Sequence, residues 1–241
     1  MNKTRIYLFI FSLVFGSISI GISQERNPSQ TDSIYYKEKY GLRVGIDLSK
    51  PIRSLFDDNY TGIEIKADYR FNKRFFPAIE LGHEKTSFSE NLLSGKTGGS
   101  YAKIGINYNT YQNWIGMQNE IYVGFRYGFS TFSETLTDYT IYDFDHYFSP
   151  DYRNPNKKFS NLNAHWIEFQ LGIKAEVLNN LYLGIHAELK RLITEKAPSG
   201  FANLYIPGYN RNYDNTEFGI GWGYSISYMI PITKKKRFIK N

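Results

Sequence analysis

The feature that most constrains the fold is a strict alternation of apolar and polar residues on both sides of a short Asn-rich break. Apolar side chains occupy every second position from 167 to 177, and again from 181 to 189. A period of two over about ten residues predicts two long strands, each with one apolar and one polar face. Asn179 and Asn180 favour a tight hairpin between them, because Asn tolerates positive φ. Strands of this length suit a tilted bilayer crossing, so the hairpin predicts a membrane β-barrel.

The same alternation recurs through most of the chain and predicts further strands. Together with the hairpin they make an all-β fold, an eight-stranded antiparallel up-and-down transmembrane β-barrel, which is the smallest common barrel size. The predicted strands outside the hairpin are residues 40–49, 60–71, 75–88, 100–110, 120–131 and 217–230.

The connections between the predicted strands alternate in length. Outer-membrane barrels have short periplasmic turns and longer external loops. With an even number of strands, both termini are therefore predicted to lie in the periplasm. Short links fall near residue 72, at 111–117 and near residue 179, and longer links at 50–59, 86–99, 132–163 and 194–216.

The two ends of the chain differ in composition from the barrel. Residues 1–23 are predicted to be a secretory signal peptide, with Lys3 and Arg5 before a charge-free apolar run. Residues 24–38 are predicted to be a flexible periplasmic leader, 39–233 the outer-membrane barrel, and 234–241 a basic periplasmic tail. The sequence contains no Cys, so neither a disulfide framework nor an acylated Cys is expected. The expected location is the cell outer membrane.

The net charge of the chain comes almost entirely from its ends. The sequence has 29 Lys and Arg against 23 Asp and Glu, a net charge of +6. This value falls to −1 when the two basic residues of the signal peptide and the five of the tail are set aside. A body this close to neutral offers no broad basic surface, so nucleic acid is not an expected partner.

Glycine placement indicates which face of the barrel points inward. Gly45, Gly82, Gly128 and Gly184 share parity with the charged residues of their strands, as most strand glycines do. A narrow interior is crowded, so small residues make room there for charged ones. The alternative is a secreted lipocalin-like binding barrel, with apolar side chains inside. The membrane interpretation predicts a structural ion network in the lumen, formed by Glu64, Lys66, Asp68, Arg70, Glu80, Lys103, Glu120, Arg126, Glu168, Lys174, His186, Glu188 and Lys190.

One histidine carries the alternative of an enzyme. His186 shares the polar face with Glu188 and the neighbouring Glu168, and a His–carboxylate pair could act as a general base in a small barrel enzyme acting on lipid or peptide. The favoured interpretation is a lumen ion pair, since no nucleophile elbow or spaced triad is visible. No catalytic residue, metal site or cofactor is assigned. The Gly95-Lys96-Thr97 sequence lacks the earlier glycine of a phosphate loop, because position 90 is Glu.

Aromatic residues are concentrated in the longer loops. Aromatic side chains suit binding surfaces because they bury a large area at low entropic cost. They could equally pack the loops onto each other and cap the barrel. The expected function is therefore a non-enzymatic barrel whose external loops bind a partner or stabilise the envelope. Expected partners are outer-membrane lipid, the barrel-assembly machinery and an unidentified envelope or extracellular partner. The candidate binding residues are Tyr142, Phe144, Tyr147, Tyr152, Tyr205 and Tyr209.

Several short segments resemble a small Gram-negative outer-membrane β-barrel family of unknown function. The resemblance covers most of residues 40–230 and implies a barrel and its location only, because the family has no assigned activity. The last strand departs from the usual aromatic barrel ending, since Ile230-Pro231-Ile232 leads into the basic tail. The segments that carry the resemblance are residues 42–49, 126–129, 166–168, 205–209 and 224–228.

Overall fold

The computed structural model describes residues 35–90, 93–114, 117–141, 151–199, 203–211 and 216–238. The predicted signal peptide and most of the predicted leader lie outside these residues. Within the described chain, no helix is long and apolar enough to cross a membrane. The elements are β1 (Tyr35–Asp47), α1 (Ser49–Phe56), β2 (Tyr60–Tyr69), β3 (Phe75–Glu90), β4 (Leu93–Asn109), β5 (Glu120–Ile141), β6 (Asp151–Arg153), β7 (Lys157–Leu178), β8 (Leu181–Glu195), β9 (Tyr205–Ile206), β10 (Asn210–Arg211) and β11 (Phe218–Phe238).

The long strands pair antiparallel in a closed ring. The order is β1, β2, β3, β4, β5, β7, β8 and β11, and β11 pairs back with β1. Closure satisfies the backbone groups that an open sheet edge would expose, which is the requirement for a structure surrounded by lipid. The prediction of an antiparallel β-barrel is confirmed. Two shorter features lie outside the ring, β6 beside the end of β5 and a separate β9–β10 hairpin.

The two ends of the barrel differ. The end that carries residues 70–74, 110–114, 117–119 and 179–180 is called the turn end here. The opposite end, which carries α1, is called the loop end. Asn180 adopts a φ of 67°, as the hairpin prediction required.

The strands extend beyond their predicted limits. β1 starts at Tyr35 and pairs there with Phe238, so parts of the predicted leader and tail are strand. At the loop end, β3 and β4 form a hairpin that runs out to residues 90 and 93, through the predicted loop 86–99. Each extension supplies hydrogen-bond partners to the backbone of the neighbouring strand. The alternation of side chains does not reveal this backbone pairing, so it underestimates the length of the strands.

The apolar face of the sheet points outward. The exposed fractions of Ile65, Ile104, Ile185 and Ile220 are 49%, 63%, 62% and 80%. The charged residues at the alternate positions of these strands point into the barrel. This arrangement is the reverse of a soluble barrel such as a lipocalin and matches the apolar band of a transmembrane barrel.

Aromatic residues surround the turn end. Tyr69, Phe75, Tyr108 and Trp114 are exposed there, as in the interfacial girdle of a membrane barrel. Phe76, the next residue after Phe75, is buried instead, with the guanidinium of Arg43 5.5 Å from its ring centre.

Candidate functional site

The centre of the lumen is organised around one lysine. Lys103 Nζ lies 2.9 Å from a carboxylate oxygen of Glu80, and 3.5 Å from oxygens of Glu64, Glu168 and Glu188. These side chains come from strands β2, β3, β4, β7 and β8, so a single ammonium joins opposite walls of the barrel. A buried cation among several carboxylates is stable because each charge is compensated, whereas an isolated one is not.

A second cluster contains the histidine that sequence analysis singled out. Lys66 Nζ lies 3.1 Å from Asp47 and from Glu64, and 2.9 Å from His186 Nε2. His186 Nε2 also lies 3.1 Å from a Glu188 oxygen. The imidazole is buried and surrounded by charged partners, so it forms part of the ion network.

The arginines of the lumen hold the remaining carboxylates. Arg126 Nε donates to Glu80 at 3.0 Å, and its guanidinium also donates to Asn107 at 2.7 Å. Arg43 pairs with both Asp68 and Glu120, while Lys174 Nζ lies 2.6 Å from Asp68.

Around Lys66 and His186, the described residues of the network enclose little open space. A cavity of about 20 Å³ lies beside Lys66, Glu80 and His186, which is room for about one water molecule. Glycines allow this packing: a Cβ at Gly128 would stand 2.1 Å from the ring of Trp166, and one at Gly82 would stand 2.2 Å from the ring of Tyr101. Glycines therefore occupy inward positions because large side chains of the neighbouring strand lie directly against their backbone.

The structure places all the predicted lumen residues inside the barrel and brings most of them together in ion pairs. Arg70 differs, because its guanidinium donates to the Lys39 carbonyl at 2.9 Å and to Gln118 at 2.6 Å near the turn end. Arg43 and Asp47 were missed although they share parity with glycines of β1.

A loop closes the lumen at the loop end. Residues 203–211, called the cap here, carry the β9–β10 hairpin and are anchored on Glu84 of β3. Tyr205 Oη donates to Glu84 at 2.7 Å and the Gly208 backbone N–H at 3.0 Å. Tyr60 Oη donates to the same carboxylate at 3.0 Å, and Lys50 from α1 forms an ion pair with it.

Glu84 lies beyond the apolar band, because the outward residues beside it are the exposed His83 and Lys85. Burial alone would raise the pKa of Glu84, but the Lys50 ammonium and the hydrogen bonds from the cap outweigh it and lower the pKa to about 2. The carboxylate is therefore ionised at neutral pH and fixes the cap.

An apolar cluster holds the other side of the cap. Ile206 and Tyr209 pack among Phe132, Leu162 and Trp166 on the inner wall. The rings of Trp166 and Tyr209 meet edge to face at 6.1 Å between centroids. These contacts bury apolar area between the cap and the inner wall at the loop end.

The structure separates the loop aromatics that sequence analysis grouped together. Tyr142, Phe144 and Tyr147 lie outside the described residues. Tyr152 is 63% exposed at the loop end, but Tyr205 and Tyr209 are 8% and 1% exposed. The assignment of these two tyrosines as partner-binding residues is therefore revised: they are buried in the cap, where Tyr205 binds Glu84 and the Tyr209 hydroxyl donates to the Glu217 carbonyl.

A closed barrel with an apolar exterior and a charge-paired interior defines the class of transmembrane β-barrels. Within that class, the chain belongs to the family described as Domain of unknown function (DUF6048), whose model matches residues 5–235. This agrees with the resemblance to a barrel family that has no assigned activity.

Two solved structures are similar to the chain at low identity. Ail, the attachment invasion locus protein of Yersinia pestis, is 12% identical, with 80% of this chain and 98% of Ail covered and a TM-score of 0.40. CarO of Acinetobacter baumannii is 10% identical, with the same coverage and TM-score. No curated protein sequence matches the chain.

Proposed function

We propose that this protein is a closed, non-enzymatic outer-membrane β-barrel that anchors its loop-end surface for partner binding or envelope stabilisation. The loop end faces the cell exterior and both termini face the periplasm. Longer external loops and short periplasmic turns are the usual arrangement of such barrels, which supports this orientation.

The observation that carries the proposal is the filled lumen. Lys103 and its four carboxylates occupy the centre, and the cap covers the loop end through Glu84. A small barrel filled by side chains serves as a rigid support, whereas larger barrels leave an aqueous channel. Diffusion of solutes through the barrel is therefore not its function.

The surroundings of His186 favour a structural role over catalysis. Its Nε2 lies between Lys66 and Glu188, and its side chain is buried in the lumen. A general base must reach the proton of a bound substrate. A substrate would have to displace the ion network to reach this imidazole.

The loop end offers a surface for a partner. Ile141 and Tyr152 lie at the loop-end extremity of β5 and on its neighbour β6, and both are exposed. Aromatic and aliphatic side chains in such a position favour protein contacts. Lipid around the apolar band and the barrel-assembly machinery complete the proposed set of partners.

The test combines location, conductance and capture. The mature protein is expected in outer-membrane fractions, resistant to carbonate and with faster gel migration before boiling. In planar bilayers it should show no stable conductance. Cross-linking from a probe at residue 141 on intact cells should capture a specific envelope or extracellular partner that a Tyr152→Ser variant loses. Recovery as a soluble monomer, or an open channel, would overturn the proposal.

A further inference from the structure

One carboxylate at the loop end has surroundings that differ from those of all the charges described above. Glu134 of β5 is 1% exposed. It lies beyond the apolar band, since the outward residues of β5 after Phe129 are Thr131, Ser133 and Thr135. Within the described residues, neither of its carboxylate oxygens has a hydrogen-bond partner of good geometry, and no Lys or Arg forms an ion pair with it.

Among the described residues, two further buried oxygens without partners belong to Thr97 and to Asn203, whose chain neighbour Leu204 contacts Glu134. Thr97 is directly opposite it on β4, a position that places the two Cβ atoms about 4.5–5.5 Å apart. Its Oγ1 has no hydrogen-bond partner within the described chain, and neither has Oδ1 of Asn203 in the cap. Thr97 and Asn203 are 2% and 1% exposed.

Asn203 is held so that only its oxygen is free. Its Nδ2 donates to Glu195 Oε2 at 2.7 Å and to the Lys196 carbonyl at 3.2 Å. The next residue, Leu204, brings its backbone N–H to Glu134. Burial raises the pKa of the Glu134 carboxyl to about 7, with the Leu204 N–H opposing this shift and the Glu195 charge adding to it.

We propose that Glu134, Thr97, Asn203 and Glu195 form a binding site for a divalent cation of the Ca²⁺ type. Two carboxylates, an amide oxygen and a hydroxyl are hard oxygen ligands, which Ca²⁺ accepts in irregular geometry. The cation supplies the positive charge that Lys50 supplies to Glu84 on the other side of the cap. It joins β4, β5 and the end of β8 to the cap, and so closes the loop end.

The site should bind Ca²⁺ weakly, as the calcium sites of extracellular protein modules do. Its ligands come from distant parts of the chain, and the two carboxylates give a modest ligand charge. The expected Kd for Ca²⁺ is on the order of 10⁻⁴ to 10⁻³ M. Mg²⁺ should bind more weakly, because it requires near-ideal octahedral geometry and loses water reluctantly.

The experiment is Ca²⁺ titration calorimetry on the full mature chain, folded in a zwitterionic detergent and freed of metal by a chelator. The unaltered barrel should bind one equivalent, and Ca²⁺ should protect the cap from protease. Glu134→Gln, which keeps size and removes charge, should weaken binding about tenfold or more. Glu217→Gln, a 65% exposed carboxyl at the same end, is the matched control and should bind normally.

Folding of each variant is checked by its migration before boiling. If the Glu134→Gln chain does not fold, Thr97→Ala tests the site instead. This change removes one neutral ligand and keeps both carboxylates, so it should weaken Ca²⁺ binding. Absence of saturable Ca²⁺ binding by the folded unaltered protein would overturn the proposal. So would binding by folded Glu134→Gln or Thr97→Ala that equals that of the unaltered chain. These outcomes are independent of membrane location, conductance and partner capture.

Discussion

Glu80 and Glu134 are both almost completely buried in the same barrel, yet only one has compensating charges. Glu80, in the middle of the lumen, lies 2.9 Å from Lys103 and 3.0 Å from Arg126. Glu134, at the loop end, has no such neighbour within the described chain. The difference shows that the charges at the lumen centre are compensated by neighbouring side chains, whereas the loop end keeps one buried carboxylate without a charged partner among the described residues, for which we propose a bound cation.

The largest expected effect comes from breaking the compensated region. Lys103→Met keeps the side-chain length but leaves four carboxylates facing one another. Loss of one partner from a buried ion cluster typically costs about 3–5 kcal/mol. The free energy of unfolding should therefore fall by that amount in urea titrations of the barrel in lipid vesicles.

Lys96 provides the matched control for this change. It lies on the same strand as Lys103, but its side chain is exposed. Lys96→Met should leave the free energy of unfolding within about 0.5 kcal/mol of the unaltered value. Equal losses in the two variants would mean that the lumen charges contribute nothing specific.

The next effect concerns the anchor of the cap. Glu84→Gln removes the charge that receives Tyr205, Gly208 and Lys50, and hydrogen bonds to charged groups contribute about 1.5–3 kcal/mol each. The cap should become accessible to protease while the barrel remains folded. A cap that stays protected in this variant would assign its stability to the apolar cluster alone.

The same anchor predicts a pH dependence. The pKa of Glu84 is lowered to about 2 in the folded protein, against an ordinary value of 4.5. A carboxyl with a lowered pKa stabilises the fold above its ordinary pKa, and this contribution is lost as the pH falls from about 4.5 towards 2. Protease protection of the cap by an acid-active enzyme should decline through that window, and the decline should be absent in Glu84→Gln.

A smaller effect tests steric packing in the lumen instead of charge. A Cβ at Gly128 would approach the Trp166 ring to 2.1 Å, and overpacking of this kind costs about 1–3 kcal/mol. Gly128→Ala should lower the urea midpoint accordingly. Gly98→Ala is the control, since its nearest neighbour is the flexible Lys85 side chain at 3.1 Å. A midpoint unchanged by Gly128→Ala would show that Trp166 moves aside without cost.

The sequence was sufficient to predict the barrel and to predict which charged side chains face the lumen. Both follow from the period of two, because a strand buried on one face fixes the parity of every side chain. The partners of each charge did not follow. Lys103 meets Glu168 across the lumen, 65 positions along the chain, and this contact depends on barrel closure and register.

The cap and the Glu134 site could not be read from the pattern for a related reason. Tyr205 reaches Glu84 from 121 positions away, and a loop rich in aromatics is compatible with both a cap and a binding surface. Glu134 lies where the outward face of β5 has become polar, between Phe132 and Leu136 on the inward face. Its burial arises from the cap, which covers strands that extend past the apolar band.

The smallest expected effect comes from an ion pair at the surface, which can be compared with a buried pair of the lumen. Arg191 and Glu217 lie 3.4 Å apart at the loop end, with side chains 57% and 65% exposed. Water screens both charges, so a double-mutant cycle with Arg191→Ala and Glu217→Ala should give a coupling energy of about 0–1 kcal/mol, decreasing with added salt. The Lys103–Glu80 pair, measured in the same way, should couple more strongly and respond little to salt, because the lumen excludes counterions. Equal coupling energies at the two places would show that solvent reaches the lumen centre, and the lumen would then not be the closed interior that the structure describes.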